Sequence, residues 1–90
     1  MSLQKIILSA QTNMSRPYAL DCLFDWVDEK FQQNKFDYID QQLSEIDIEA
    51  LETYMLVGIL TITFQYKQHL TNRPILFEQI NNLLINRAIF

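Results

Sequence analysis

Apolar positions recur along this chain at steps of three and four residues, most densely from Ile48 to Tyr66, IEALETYMLVGILTITFQY. Ile48, Leu51, Met55, Ile59, Ile62 and Tyr66 fall on one stripe of a helix drawn through that stretch. Ala50, Tyr54, Val57 and Phe64, with Leu60 beside them, fall on roughly the opposite side. A helix that is apolar nearly all round is covered on more than one side, so the pattern predicts a central, buried helix over Ile48–Tyr66. Its end, Leu60 to Tyr66, alternates apolar and polar residues and is rich in β-branched side chains, as a strand would be. No second alternating run exists to pair with it, and Ile62 and Tyr66 continue the helical stripe. A helix fraying near Lys67 is the expectation.

The same periodicity places three more helices. From about Pro17 to Gln33, the residues Leu20, Leu23, Phe24, Val27 and Phe31 form a one-sided stripe, with Asp21, Asp25 and Asp28 together on the other face. Pro17 suits a first helical turn, and Ser15 or Arg16 supplies its cap. Asn34 can cap a short helix lined by Phe36, Ile39, Leu43 and Ile46, with Asp37 in its first turn. Asp47, or alternatively Ser44, caps the central helix, and Ile46 and Leu51 are placed as a hydrophobic staple. A last helix from about Pro74 to Arg87 carries Leu76, Ile80, Leu83 and Leu84 inward, widened by Phe77 and Ala88. Met1 to Met14 shows no usable period and reads as a tail, docked late or disordered, with Met1-Ser2-Leu3 compatible with a vector remnant.

Composition agrees with helices. Gly58 is the only glycine and Pro17 and Pro74 the only prolines, far too few for the turns of a sandwich or barrel. The expected architecture is all-α: a compact bundle of about four helices, two helical hairpins around the central one, forming a single domain over 15–90. Ser15-Arg16-Pro17 and Asn72-Arg73-Pro74 repeat one chemistry at the start of each hairpin, but the offset exceeds a tetratricopeptide period of about 34 residues.

The run Phe36-x-x-Ile39-Asp40-x-x-Leu43-x-x-Ile46-Asp47, followed by Leu51, Ile59-Leu60-Thr61-Ile62-Thr63 and Leu70-x-x-Arg73, resembles small uncharacterised bacterial and phage helical proteins. In these an Ile-Asp-rich short helix precedes a long apolar one. The resemblance covers less than half the chain; it implies a helical fold and brings no activity and no functional residue.

Charge changes the picture in one respect. Ten of the eleven acids lie between Asp21 and Glu52, opposed there only by Lys30 and Lys35, whereas the remainder sets five basic residues against Glu78. Such polarity can steer a basic partner toward the first half, although two solvated helix faces account for it as well. An excess of acid disfavours nucleic acid. No apolar run reaches the ~20 residues of a membrane span. With one cysteine and no secretory leader, a soluble cytoplasmic protein is expected.

Candidate chemistry is sparse. His69, the single histidine, would have to carry any triad alone and reads as a surface residue of a connection. Cys22 has aspartates for neighbours, which do not lower a thiol pKa. Asp21, Asp25 and Asp28 could gather a cation, but three carboxylates on one solvent face are ordinary surface. No metal, cofactor or catalytic residue is expected. Trp26, Tyr18, Tyr38, Phe64, Ile85, Ile89 and Phe90 lie outside the main stripes, and aromatic residues are common interface anchors. The expected role is a non-enzymatic interaction or assembly module, in contact with a protein partner or with itself. Its candidate surface comprises Trp26, Tyr18, Asp21, Asp25, Asp28, Arg16 and Arg73. The alternative is a small acidic regulator acting on a larger enzyme or on transcription machinery.

Overall fold

The computed structural model describes residues 2–66 and 73–88, with side chains at all of these except 73–75. Five α-helices and a single 3-10 turn make up the described residues, in which there is no strand. The fifth helix is the one the sequence does not announce. Residues Leu3–Asn13 form α1, not a tail, and bury Leu3, Ile7 and Ala10 completely. Ser2 accepts a hydrogen bond from the Lys5 N–H at 3.3 Å and so caps the helix. The chain then turns at Met14 and Ser15 into α2, Arg16–Gln32, which packs antiparallel against α1.

Asn34 ends α2 instead of starting the next helix. Its φ of 58° lies in the left-handed region, where asparagine is tolerated better than most residues. Lys35 N–H then reaches the Lys30 carbonyl and Asn34 N–H the Phe31 carbonyl, each at 3.0 Å. These two bonds satisfy carbonyls that a helix end leaves open. Phe36–Ser44 follows as α3, with Phe36 edge-on to Phe31 at 5.0 Å across the turn.

The predicted single helix over Ile48–Tyr66 is broken. Ile48–Ala50 is one 3-10 turn, Leu51 and Glu52 are extended, and the helix proper, α4, runs Thr53–Gln65. Asp47 therefore precedes the 3-10 turn and not α4, and its side chain makes no capping hydrogen bond. The start of α4 is capped from afar: Gln11 Oε1 accepts the Glu52 N–H at 2.8 Å. The strand-like sequence at Thr61 and Thr63 is helical, with Ile59, Ile62 and Thr63 packed inward, and both hydroxyls are satisfied by carbonyls of the preceding turn, Val57 at 2.9 Å and Leu60 at 2.7 Å. The last helix, α5, is Arg73–Ala88.

Two pairings set the frame. α4 runs parallel to α2, with Arg16 beside Tyr54, Leu20 and Leu23 beside Gly58, and Asp28 beside Tyr66. It runs antiparallel to α5, with Thr53 beside Arg87 and Phe64 beside Phe77. α1 and α3 pack on α2 and on each other, and α3 also reaches α5. The molecule measures 42 × 30 × 19 Å, and its short dimension is about two helix diameters. In a body this thin, α4 buries Met55, Leu56, Ile59, Ile62 and Thr63 on one side, while Tyr54 and Leu60 are half-buried and Val57, Thr61 and Phe64 exposed on the other.

α2 and α4 touch at Gly58. A Cβ there would lie 2.8 Å from Leu20 Cδ2 and 3.1 Å from Leu23 Cδ2. Alanine gains about 1 kcal/mol of helix propensity over glycine, and half-buried Leu20 can turn aside. Gly58→Ala is therefore expected to leave stability within about 1 kcal/mol. Gly58→Val, whose branches press into fully buried Leu23, should cost about 2–3 kcal/mol in urea denaturation. Equal stability of the two variants would contradict this packing.

The start of α1 is held by a buried bond from α3, in which Leu3 N–H donates to Gln42 Oε1 at 2.8 Å. Gln42→Ala strands that amide. It should cost about 1–3 kcal/mol and speed amide exchange across Leu3–Ala10 more than across α4. Uniform exchange along the two helices would show that the bond does not hold α1 in place.

Candidate protein-interaction surface

α4 contains no charged residue in its thirteen positions. Its outer side presents Val57, 48 % exposed, Thr61, and Phe64, 59 % exposed. α5 continues this surface: Phe77 packs edge-on to Phe64 at 5.3 Å, and Ile85 is 48 % exposed. Scattered single apolar residues on a surface are ordinary. A continuous uncharged face across two adjacent helices is not, and such patches mark contact sites.

Charge frames this face at its two ends. At the start of α4, Arg16 spreads over the Tyr54 ring at 5.4 Å, a cation–π contact. Arg87 comes in from the end of α5, donating from Nη1 to Thr53 Oγ1 and from Nη2 to the Glu49 carbonyl, both at 3.3 Å. With Leu51, Glu52, Thr53 and Tyr54 the two arginines line a cleft of about 590 Å³. Burial, chiefly, and the nearby Glu52 charge push the Tyr54 hydroxyl pKa up, against an opposing pull from Arg16. The helix N-terminus adds positive potential here, which Glu52 offsets in part.

At the far end stand two carboxylates. Asp28 accepts a hydrogen bond from the Tyr66 hydroxyl at 2.5 Å. Glu78 lies exposed next to Phe77, and the C-terminal carbonyls of α4 add negative potential. Among the described residues the one ion pair is Lys30–Glu29 at 3.6 Å, and none of them forms a salt bridge with Arg16 or Asp28.

The structure separates the residues that sequence grouped as a candidate surface. Trp26 is buried, 7 % exposed, and packs against Tyr38 at 5.8 Å. It is a core residue of α2, because α3 folds back over the flank on which it sits. Tyr18 is 69 % exposed, and Asp21 and Asp25 are exposed on α2, Asp21 on the same helical stripe as Asp28. Arg16 and Asp28 both flank α4, about 18 Å apart along it at 1.5 Å per residue. The side chain of Arg73 and all of His69, Ile89 and Phe90 lie outside the described residues, and with them any meeting of the two Arg-Pro junctions. Cys22 is half-buried, its Sγ 3.5 Å from Met14 Sδ. Among the described residues no three of His, Cys, Asp and Glu are gathered as metal ligands, and no helix is long and apolar enough to cross a membrane. Phe64 and Ile85 stood out in the sequence by leaving their stripes. Val57 stood there only as part of a second apolar side that was expected to be covered.

No protein-family model, no curated protein and no solved structure matches this chain.

Tyr66 offers a pH test of the α2–α4 contact. Its hydrogen bond to Asp28, then burial and the Asp28 charge, push its pKa from 10.0 up to about 12. A raised folded pKa contributes stability that is complete below the unfolded value near 10 and is lost as pH climbs through about 12. Phenolate absorbance should therefore show one tyrosine ionising late, and Tyr66→Phe should remove that step and flatten the stability loss over the same window. An unchanged alkaline profile in Tyr66→Phe would sink the assignment.

Proposed function

We propose that the protein is a non-enzymatic interaction and assembly module whose contact surface is the uncharged outer face of α4 and α5. The observation that carries this reading is the exposure of Val57, Phe64 and Ile85 on a helix pair that brings no charge to that face's centre. Exposed apolar side chains gathered on one uncharged face are a mark of contact sites, which is what supports this reading. The exposed carboxylates of Asp21 and Asp25 favour a second reading, an acidic regulator that meets a basic surface of a larger enzyme or of transcription machinery. The two readings differ in salt response, because contacts made by exposed charges weaken as ions screen them and apolar contacts do not.

A photo-crosslinking residue placed at Val57 tests the first reading in cells that express the chain. Adducts of defined mass are expected from position 57, few from exposed Lys5 on α1, and loss of the position-57 adducts when Phe64→Glu is added. Equal yields from positions 57 and 5 would reject the outer face as the contact.

A further inference from the structure

The cleft at the start of α4 holds both signs of charge and keeps them apart. Arg16, Glu52 and Arg87 all line it, together with Leu51, Thr53 and Tyr54. Among the described residues none of these three charges is ion-paired with another. Each is placed by a different contact. Arg16 lies over the Tyr54 ring, 5.4 Å from its centroid. Arg87 is held at 3.3 Å by Thr53 Oγ1 and by the Glu49 carbonyl. Glu52 is fixed through its backbone, whose N–H donates to Gln11 Oε1 at 2.8 Å. Two of the charges act on one phenol: after burial, Glu52 raises the Tyr54 hydroxyl pKa, and Arg16 pulls against it. Exposed Glu49, whose carbonyl Arg87 holds, brings the balance at this end to two guanidinium groups against two carboxylates. Such a site favours neither a simple anion nor a simple cation. What fits it is a small molecule carrying one charge of each sign a short distance apart.

We propose that this cleft binds a free α-amino acid, its carboxylate on Arg16 and Arg87, its ammonium on Glu52, and its side chain against Leu51 and the Tyr54 ring. The proposal goes beyond the interaction-module reading and does not depend on it. Arg16 lays its guanidinium face on Tyr54 and leaves its edge N–H groups for a carboxylate. A guanidinium carries more N–H donors than Arg87 uses on Thr53 and Glu49. The exposed Glu52 carboxylate is an acceptor only, and an ammonium is a donor only. Leu51, 3 % exposed, gives the cleft an apolar floor. Its volume of about 590 Å³ falls within the range of small-molecule sites, so the larger amino acids fit as well as the smaller. Two charge-assisted contacts of opposite sense fix the orientation of the ligand, and neither a bare anion nor a bare cation can make both.

Amide NMR spectra of the purified full chain, with the common L-amino acids added one at a time at millimolar concentration, test this. Saturable shifts at the Glu52, Thr53 and Tyr54 amides are expected from one or more of them. For such an amino acid, N-acetylation and carboxyl amidation should each weaken binding about tenfold or more, because each removes one charge-assisted contact. Two variants at exposed positions separate the two contacts, and the same spectra show that both remain folded. Glu52→Gln should erase the preference for the free amine and keep the preference for the free carboxylate. Arg16→Gln should shrink the preference for the free carboxylate and keep that for the free amine. A general disturbance of the cleft would lower both preferences together, which overturns the assignment of the contacts. Binding that survives acetylation or amidation unchanged overturns the zwitterion as ligand. No saturable shift at these amides from any of the amino acids overturns the site.

Discussion

The close approach of α2 to α4 at Gly58 is the constraint on which the rest depends. A Cβ at position 58 would stand 2.8 Å from Leu20 Cδ2 and 3.1 Å from Leu23 Cδ2, so a small residue there lets α2 and α4 pack this closely. That contact fixes the two helices in parallel register and so decides what stands at each end of α4. Arg16 is set over Tyr54 and Asp28 under Tyr66. Sliding α2 by one turn would carry both charges about 5.4 Å along α4, away from Tyr54 and Tyr66. A packing decision in the core is thereby read out as a charge pattern on the surface.

The second ordering device is a pair of glutamines acting far from their own positions in the chain. Gln42 receives the Leu3 amide and Gln11 receives the Glu52 amide, each at 2.8 Å. Helix starts leave amides unpaired, and here the starts of α1 and α4 are served by side chains of α3 and α1. These bonds tie the first helix to both halves of the chain, and they let α4 begin abruptly at Thr53 although no side chain of its own caps it.

How far the sequence disclosed this can be judged residue by residue. The all-helical class was legible because turn residues are so few and the stripes of α2, α3 and α5 are plain. α1 was not, although Leu3, Ile7 and Ala10 have helical spacing, because only three inward residues in a short uncapped-looking stretch compete with the expectation of a loose terminus. The break at Leu51 and Glu52 was hidden since both residues extend the periodic pattern; what enforces it is Gln11, forty-one positions earlier. Asn34 looked like a helix start and is a helix end, a choice between two uses of asparagine that local sequence leaves open. Of the candidate surface, Arg16 and Asp28 were named, but their pairing with α4 depends on the α2–α4 register. Trp26 was misplaced because α3, by covering it, decides a burial that the stripe of α2 alone does not encode. Val57 was read as covered because a helix with two apolar sides implies two neighbours, one of which the described residues do not provide.

The account therefore turns on what covers the outer side of α4. Thiol alkylation of Thr61→Cys, in a Cys22→Ser background, measures this directly in cells that express the chain. The account predicts slower alkylation in the cell than of the dilute purified chain, and no such difference for Lys5→Cys, exposed on α1. Equal rates at position 61 in the two settings, or equal slowing at position 5, would contradict the account.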